Sequence, residues 1–215
     1  MDDLPPSGGS DLIAVLFAGA VVVLGAVTLM LGWVGGYDMA TRISPGYAAM
    51  VPSTAVSFIF LAVALIFGWT CDRGWRALSA YVLVFSVVGI VLVNLGLWFF
   101  ASVPGLDQLV MAERMGSEQM SLASAVGLLI ACYCVIALIA PDNPDPELPL
   151  YVSTGGVSTA AGVIGAHVFD PDTLYAMPFF AGMSIVSALC FTLLFLAVLC
   201  YPVDRLGTEI FRNQP

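Results

Sequence analysis

Polar and hydrophobic residues are segregated into blocks along this chain. Six apolar stretches, residues 12–34, 50–69, 77–101, 120–140, 150–168 and 177–201, contain no Asp, Glu, Lys or Arg. A bilayer hydrocarbon core about 30 Å thick needs about 20 apolar residues in a helix, so each stretch meets or nearly meets that length. The fifth is the shortest and is rich in glycine. The expected fold is an all-α integral membrane domain of six transmembrane helices, spanning residues 12–201. An acidic, turn-rich and disordered tail is expected at 1–11 and a short cytoplasmic tail at 202–215. The opening "MDDLPPSGGSD" lacks the basic n-region of a secretory signal, and residues 12–34 are long for one, so the first stretch reads as a retained span.

The even-numbered spans share a beginning. "MVPSTAV" starts at Met50, "MSLASAV" at Met120 and "MSIVSAL" at Met183. Each follows a span that ends in a glycine-containing turn, "LGWVGG", "NLGLWFF" or "VIGAHVF". Gly32 to Met50 and Gly165 to Met183 are both eighteen residues, while Gly96 to Met120 is six longer. Repetition at this period means one supersecondary unit stacked on its copies. The unit is expected to be a helical hairpin, occurring at 12–69, 77–140 and 150–201. Thr54, Ser124 and Ser187 would bond a carbonyl one turn back, which makes a hydroxyl tolerable in lipid. The methionines Met50, Met120 and Met183 would adapt to irregular packing near the interface. Two readings stay open for these six residues: a motif that packs each hairpin, or three edges converging on an outer-leaflet pocket.

Small residues point to close helix packing where lipid removes the hydrophobic drive between helices. Ala18, Gly25 and Gly32 recur every seven residues on the first span, and Ser158, Gly162 and Ala166 every four on the fifth. Trp33, Trp98 and Tyr175 are expected at the outer interface, and Trp69, Trp75 and Tyr201 at the inner one.

Composition sharpens the solvent and the partners. Hydrophobic residues make up 60% of the chain and charged residues 10%, too few charges to cover a water-soluble surface. The net charge of −9 arises from 15 acids against six arginines, without lysine. That balance excludes nucleic acid, whose phosphates need clustered Lys and Arg. It also excludes a polybasic grip on anionic lipid. Arg73, Arg76, Arg205 and Arg212 would share one side and Arg42 and Arg114 the other. This bias places both termini in the cytoplasm. The five cysteines read as small hydrophobes, and Cys132 and Cys134 point too far apart on a helix to share a ligand.

Catalytic chemistry is poorly provisioned. His167 is the single histidine, and no H-E-x-x-H or comparable metal spacing accompanies it. It is expected at the interface near the end of the fifth span. Proton- or ion-coupled transport usually uses ionisable groups within the membrane, and the spans hold none besides that histidine. Asn94 and Thr28 are read as helix-to-helix bonding residues. No cofactor is expected.

The order "LGW", "MVPSTAVSFIFLAVAL", "GLDQLV", "RMGSEQMSLASAVGLLIA" and "DTLYAMPFFAGMSIVSALCFTLLFLAVL" resembles the multi-pass N-terminal membrane region of proteobacterial sensor histidine kinases and diguanylate cyclases. The likeness covers roughly residues 12–201. The family's Met-x-Pro-Asn-Thr-Ala-Leu element falls on Met50, Pro52, Thr54 and Ala55, with Ser53 in place of Asn. Its second copy keeps Met120 and Ala125, lacks the proline and has Ser124 for Thr. The family's Gly-Ile-Asp-Gln-Leu element falls on Gly105, Leu106, Asp107, Gln108 and Leu109, which adds Asp107 to the pocket or packing residues. The resemblance implies a bacterial inner-membrane location and a sensory role. Family members continue into signalling and catalytic domains, whereas residues 202–215 are too few for one. The expectation is a non-enzymatic, sensor-like or regulatory module that acts through a separate membrane or signalling protein. The alternative is a structural accessory subunit of a larger inner-membrane complex.

Overall fold

The computed structural model describes residues 8–69, 75–101, 105–115, 118–140, 145 and 147–201. Every regular element among them is helical. Most of the acidic tail expected at 1–11, together with Cys71, Arg73, Arg205, Arg212 and the tail at 202–215, lies outside the described residues; from Gly8 the chain is helical. Helix α1 (Gly8–Val27) continues as a π-helical segment, Thr28–Val34. A short α2 (Asp38–Thr41) precedes α3 (Pro52–Trp69). Helix α4 (Trp75–Gly96) also ends in a π segment, Leu97–Ala101, followed by α5 (Leu106–Met115) and α6 (Leu122–Ile139). The chain finishes with α7 (Leu148–Phe169), α8 (Pro171–Ala176) and α9 (Ile185–Leu199).

Among the described residues, four helical stretches are long and apolar enough to cross a membrane: Leu12–Val34, Trp75–Phe100, Leu122–Ile139 and Leu148–Phe169. Two further apolar helices are shorter, Pro52–Gly68 and Ile185–Leu199. At 1.5 Å per residue α3, counted to Trp69, reaches about 27 Å and α9 about 22 Å. The sixth stretch expected at 177–201 is therefore helical only from Ile185. Pro178, the left-handed Gly182 (φ 77°) and the capping Ser184 hold residues 177–184 in turns.

The short helices are interior ones. Helices α3, α6 and α9 touch one another. Helix α1 packs on α3 and α9, α4 on α3 and α6, and α7 on α6 and α9. No described side chain of α3 is exposed, whereas α1 and α4 present Leu16, Val23, Leu78 and Phe85 outward. Burial on the flanking helices follows a 3–4 spacing, the mark of one helical face. Ala14, Ala18, Val21, Gly25, Thr28 and Gly32 form that face on the first helix; Ala80, Val84, Val87, Val91 and Asn94 form it on α4. On α7 the buried face is Ser153, Ala160, Val163 and His167. The stripe expected there is displaced: Ser158 and Gly162 are exposed and Ala166 half-buried.

Glycine permits the closest approaches. A Cβ at Gly25 would lie 2.8 Å from Ile59 Cγ1, and one at Gly32 would lie 2.4 Å from Thr41 Cγ2. Gly162 has nothing within 4 Å, which agrees with its outward position. Phe58 of α3 meets Phe191 of α9 edge-on at 4.7 Å, joining two of the central helices.

Candidate functional site: a polar cap over three helix starts

The recurring Met-x-x-x-Ser/Thr-Ala pattern is a helix-start motif. Ala55, Ala125 and Ala188 donate their N–H groups to the carbonyls of Val51, Ser121 and Ser184, so those three residues occupy the N-cap. Each methionine therefore stands just before the cap and each Thr54, Ser124 or Ser187 stands three residues after it. Ser121 Oγ accepts from Ser124 N at 3.1 Å and shares a hydroxyl hydrogen bond with Ser124 Oγ at 2.9 Å. Ser184 and Ser187 repeat this arrangement at 3.0 and 2.8 Å. Two of the three hydroxyls expected to bond a carbonyl one turn back, Ser124 and Ser187, thus pair with the cap, because in the first helical turn no helical carbonyl precedes them.

The first copy has valine at its cap position, and valine cannot accept. Its cap comes from another helix. Asp107, at the start of α5, accepts from Ser53 N at 2.7 Å through Oδ1 and from Ser53 Oγ at 2.5 Å through Oδ2. Asp107 is buried, and burial pushes its carboxyl above the usual range even though the Ser53 bonds oppose the shift. Asn94 fixes this aspartate in place. Its Oδ1 accepts from Leu106 N and its Nδ2 donates to Ile90 O, both at 3.0 Å. Gly105 turns there with φ 124°, and a Cβ on it would lie 2.7 Å from Asn94 Oδ1.

His167, in the last turn of α7, is a fully buried hub. Nδ1 faces Val163 O at 2.9 Å, so this nitrogen carries the proton. Nε2 is then an acceptor and receives the Tyr175 hydroxyl at 3.1 Å. Tyr175 Oη in turn accepts from Ala48 N at 3.1 Å, and Tyr47 Oη donates to His167 O at 2.9 Å. Both tyrosine rings meet the imidazole edge-on at 5.5 Å. Burial raises the Tyr175 hydroxyl pKa above its ordinary value. Trp33 is buried as well and donates from Nε1 to Met50 O at 2.8 Å. Arg42 and Glu118 form an ion pair at 3.2 Å, and Glu118 accepts from Ala49 N at 3.3 Å. Among the described residues, Trp33, Asn94 and His167 thus tie the turns at this end of the molecule to the helices beneath.

Met120 and Met183 line two different crevices. Met50, Thr54, Ser124 and Ser187 are buried within the bundle. Two crevices flank the beginning of α6. One, of about 260 Å³, is lined by Asn94, Trp98, Gln119, Met120, Ala125 and Ala181, among others. The second, of about 230 Å³, is apolar and lies between α6, α7 and α9, with Gly127, Gly156, Met183, Phe191 and Phe195 on its walls. Cβ atoms on Gly127 and Gly156 would lie 2.6 and 2.5 Å from the Phe191 and Phe195 rings, so these glycines make room for the aromatic floor. The turn at 177–184 belongs to both crevices: Pro178 and Ala181 line the first, and Phe179, Phe180 and Met183 line the second. Phe179 O accepts from Ala123 N at 3.0 Å, which fastens the turn between them.

Sequence reasoning reached Met120, Met183, Asp107 and, as a helix-to-helix bonding residue, Asn94, but missed Gln119, Tyr47 and the hub that His167 forms with Tyr175. An isolated histidine eight residues before a tyrosine, on opposite sides of a Pro-Asp turn, was the available signal. The chain matches no protein-family model, no curated protein and no solved structure.

Proposed function

We propose that this chain is a non-enzymatic, sensor-like membrane module that acts through a separate partner protein. A small molecule lodges against the turn at 177–184, and α9 carries the change to the opposite end of the bundle. The carrying observation is the position of that turn: it lines both crevices and ends in Ser184, the N-cap of α9. A shift in the turn therefore changes the cap of a central helix.

In this reading all six apolar helices cross the bilayer, paired as the hairpins 12–69, 77–140 and 150–201. The mutual contact of α3, α6 and α9, each flanked by two of the other three, supports a threefold stacking of such hairpins. The two short helices need not match the bilayer thickness, because longer neighbours surround them and the polar cap covers their starts. The arginine bias supports a capped end facing away from the cytoplasm. The resemblance to bacterial kinase and cyclase sensor regions supports an inner-membrane location.

The accessory-subunit reading draws on one observation, the outward face of α7. Gly155, Ser158, Thr159 and Gly162 are exposed there, and small residues on a membrane helix suit close approach by another helix. Mild-detergent purification of the tagged chain from its native membrane, with mass spectrometry of what accompanies it, separates the two. Stoichiometric recovery of a kinase, cyclase or response protein supports the sensory module. Recovery of respiratory, photosynthetic or transport subunits supports the accessory role, and a chain recovered alone contradicts both. Ala181→Phe gives a second discrimination, since a bulky ring on the exposed turn should alter signalling while leaving assembly intact.

A further inference from the structure

The crevice beside α4 has walls of a definite chemistry. Two carboxamides, Asn94 and Gln119, line it with the Trp98 ring, the Met120 thioether and the apolar surfaces of Leu95 and Ala125. Among the described residues no charged side chain reaches it, so it offers no partner to an anionic or cationic headgroup. A carboxamide both donates and accepts hydrogen bonds. Asn94 commits one N–H to Ile90 O and one oxygen lone pair to Leu106 N, which leaves a second of each. Trp98 is 44% exposed and supplies an aromatic face for stacking; a methionine sulfur favours contact with a ring. The volume of about 260 Å³ falls just under the usual range of ~300–1,000 Å³ for small-molecule sites. That is room for one substituted ring, and not for a phospholipid head with its glycerol.

We infer that this crevice binds an uncharged single ring bearing carbonyl or hydroxyl oxygens, of the quinone class, with its oxygens on the Asn94 and Gln119 amides and its face toward Trp98. The inference rests on the sensory reading and names the ligand class for it. The ring has two sources, a membrane-dissolved quinone or a free one arriving from water, and the chemistry of the walls is the same for both. The turn at 177–184 closes one side of the site through Pro178 and Ala181, so an occupied crevice props that turn in one position.

The test uses the full chain in phosphatidylcholine nanodiscs, titrated by calorimetry with 2,3-dimethoxy-5-methyl-1,4-benzoquinone and with its decyl homologue. The expected result is saturable one-to-one binding beyond that of empty nanodiscs. Ala181→Phe, which fills the crevice from an exposed turn, should weaken it at least tenfold. Gln119→Leu, which removes one hydrogen-bonding group from an exposed position, should weaken it about three- to tenfold. Melting temperatures of both variants should match the parent. Comparable affinity for the two probes identifies a free quinone, and strong preference for the decyl compound identifies a membrane source. Absence of saturable binding, or binding that neither variant alters, overturns the assignment. If decane or decyl sulfate binds instead and Ala181→Phe abolishes it, the ligand class is wrong while the sensory reading stands. If Ala181→Phe leaves the signalling of a co-purified partner unchanged, the sensory reading itself fails.

Discussion

Asp107 and Asp170 each grip a hydroxyl residue through two bonds, one to its N–H and one to its hydroxyl, yet their acidities move in opposite directions. Asp170 accepts from Thr173 N and Oγ1 in solvent, and those bonds lower its pKa. Asp107 makes the same pair of bonds to Ser53, but burial outweighs them and raises its pKa. A carboxyl whose folded pKa lies above its unfolded value near 3.9 binds more protons when folded. Its contribution is fully present below that unfolded value and is lost as pH rises through the folded one. The unfolding midpoint of the parent should therefore fall as pH rises across that window. Asp107→Asn should flatten the dependence, because its amide can reproduce the protonated pairing with Ser53; an unchanged slope would refute the trans cap. Asp107→Ala, which leaves Ser53 N–H unpaired, should cost about 1–3 kcal/mol below the unfolded pKa and less as pH rises through the folded one. Tyr175→Phe removes the hydroxyl from both Ala48 N and His167 Nε2. It should cost about 1–3 kcal/mol in a denaturation series, and a loss under 0.5 kcal/mol, on the order of a surface substitution, would refute the hub. The long-range pairings, Asp107 with Ser53 and Tyr175 with Ala48, were not legible in the sequence. Asp107 and Ser53 lie 54 residues apart, and hydrogen bonding across that separation leaves no periodic trace.

At the scale of the element, the three motif copies were legible as helix beginnings because capping is local. The spacing from cap to third residue is fixed by helix geometry. What each copy uses as its cap was not legible for α3, where a neighbouring helix supplies it. Ser121→Ala and Ser184→Ala should each lower stability by about 1 kcal/mol, measured as a shift in thermal unfolding; no shift in either would show that the caps are idle. The small-residue stripe expected on α7 has the right composition and the wrong face. Small residues lie on both the buried face (Ser153, Ala160) and the exposed face (Ser158, Gly162) of α7, so composition alone did not select the buried one. Gly127→Ala would place a Cβ 2.6 Å from Phe191, whereas Gly162→Ala meets nothing within 4 Å. The first should destabilise by about 1–3 kcal/mol, and the second should be neutral or stabilise by up to about 1 kcal/mol. Equal effects would contradict the assigned packing face.

For the whole molecule, hydrophobic blocks gave the number of apolar helices and their all-helical class. The inward or outward placement of each helix was not readable, since lipid-facing and core-facing sides are both apolar. Interior helices are marked instead by having few exposed positions, as α3 and α9 show. The turns at 35–51 and 170–184 share the capped end in this arrangement, joined through Tyr47, Ala48, His167 and Tyr175. The proposed six crossings would place both on one face of the bilayer and Asp145 on the other. Single-cysteine labelling tests this most directly. Cys71 and Cys200 are first replaced by serine, while Cys132, Cys134 and Cys190 are buried and shielded from a bulky reagent. Gly46→Cys and Asp172→Cys should react with a membrane-impermeant maleimide on intact cells, and Asp145→Cys only after permeabilisation. The reverse pattern would invert the orientation and keep the bundle. Gly46 and Asp172 labelled from opposite faces, or Asp145 from the same face as both, would contradict it.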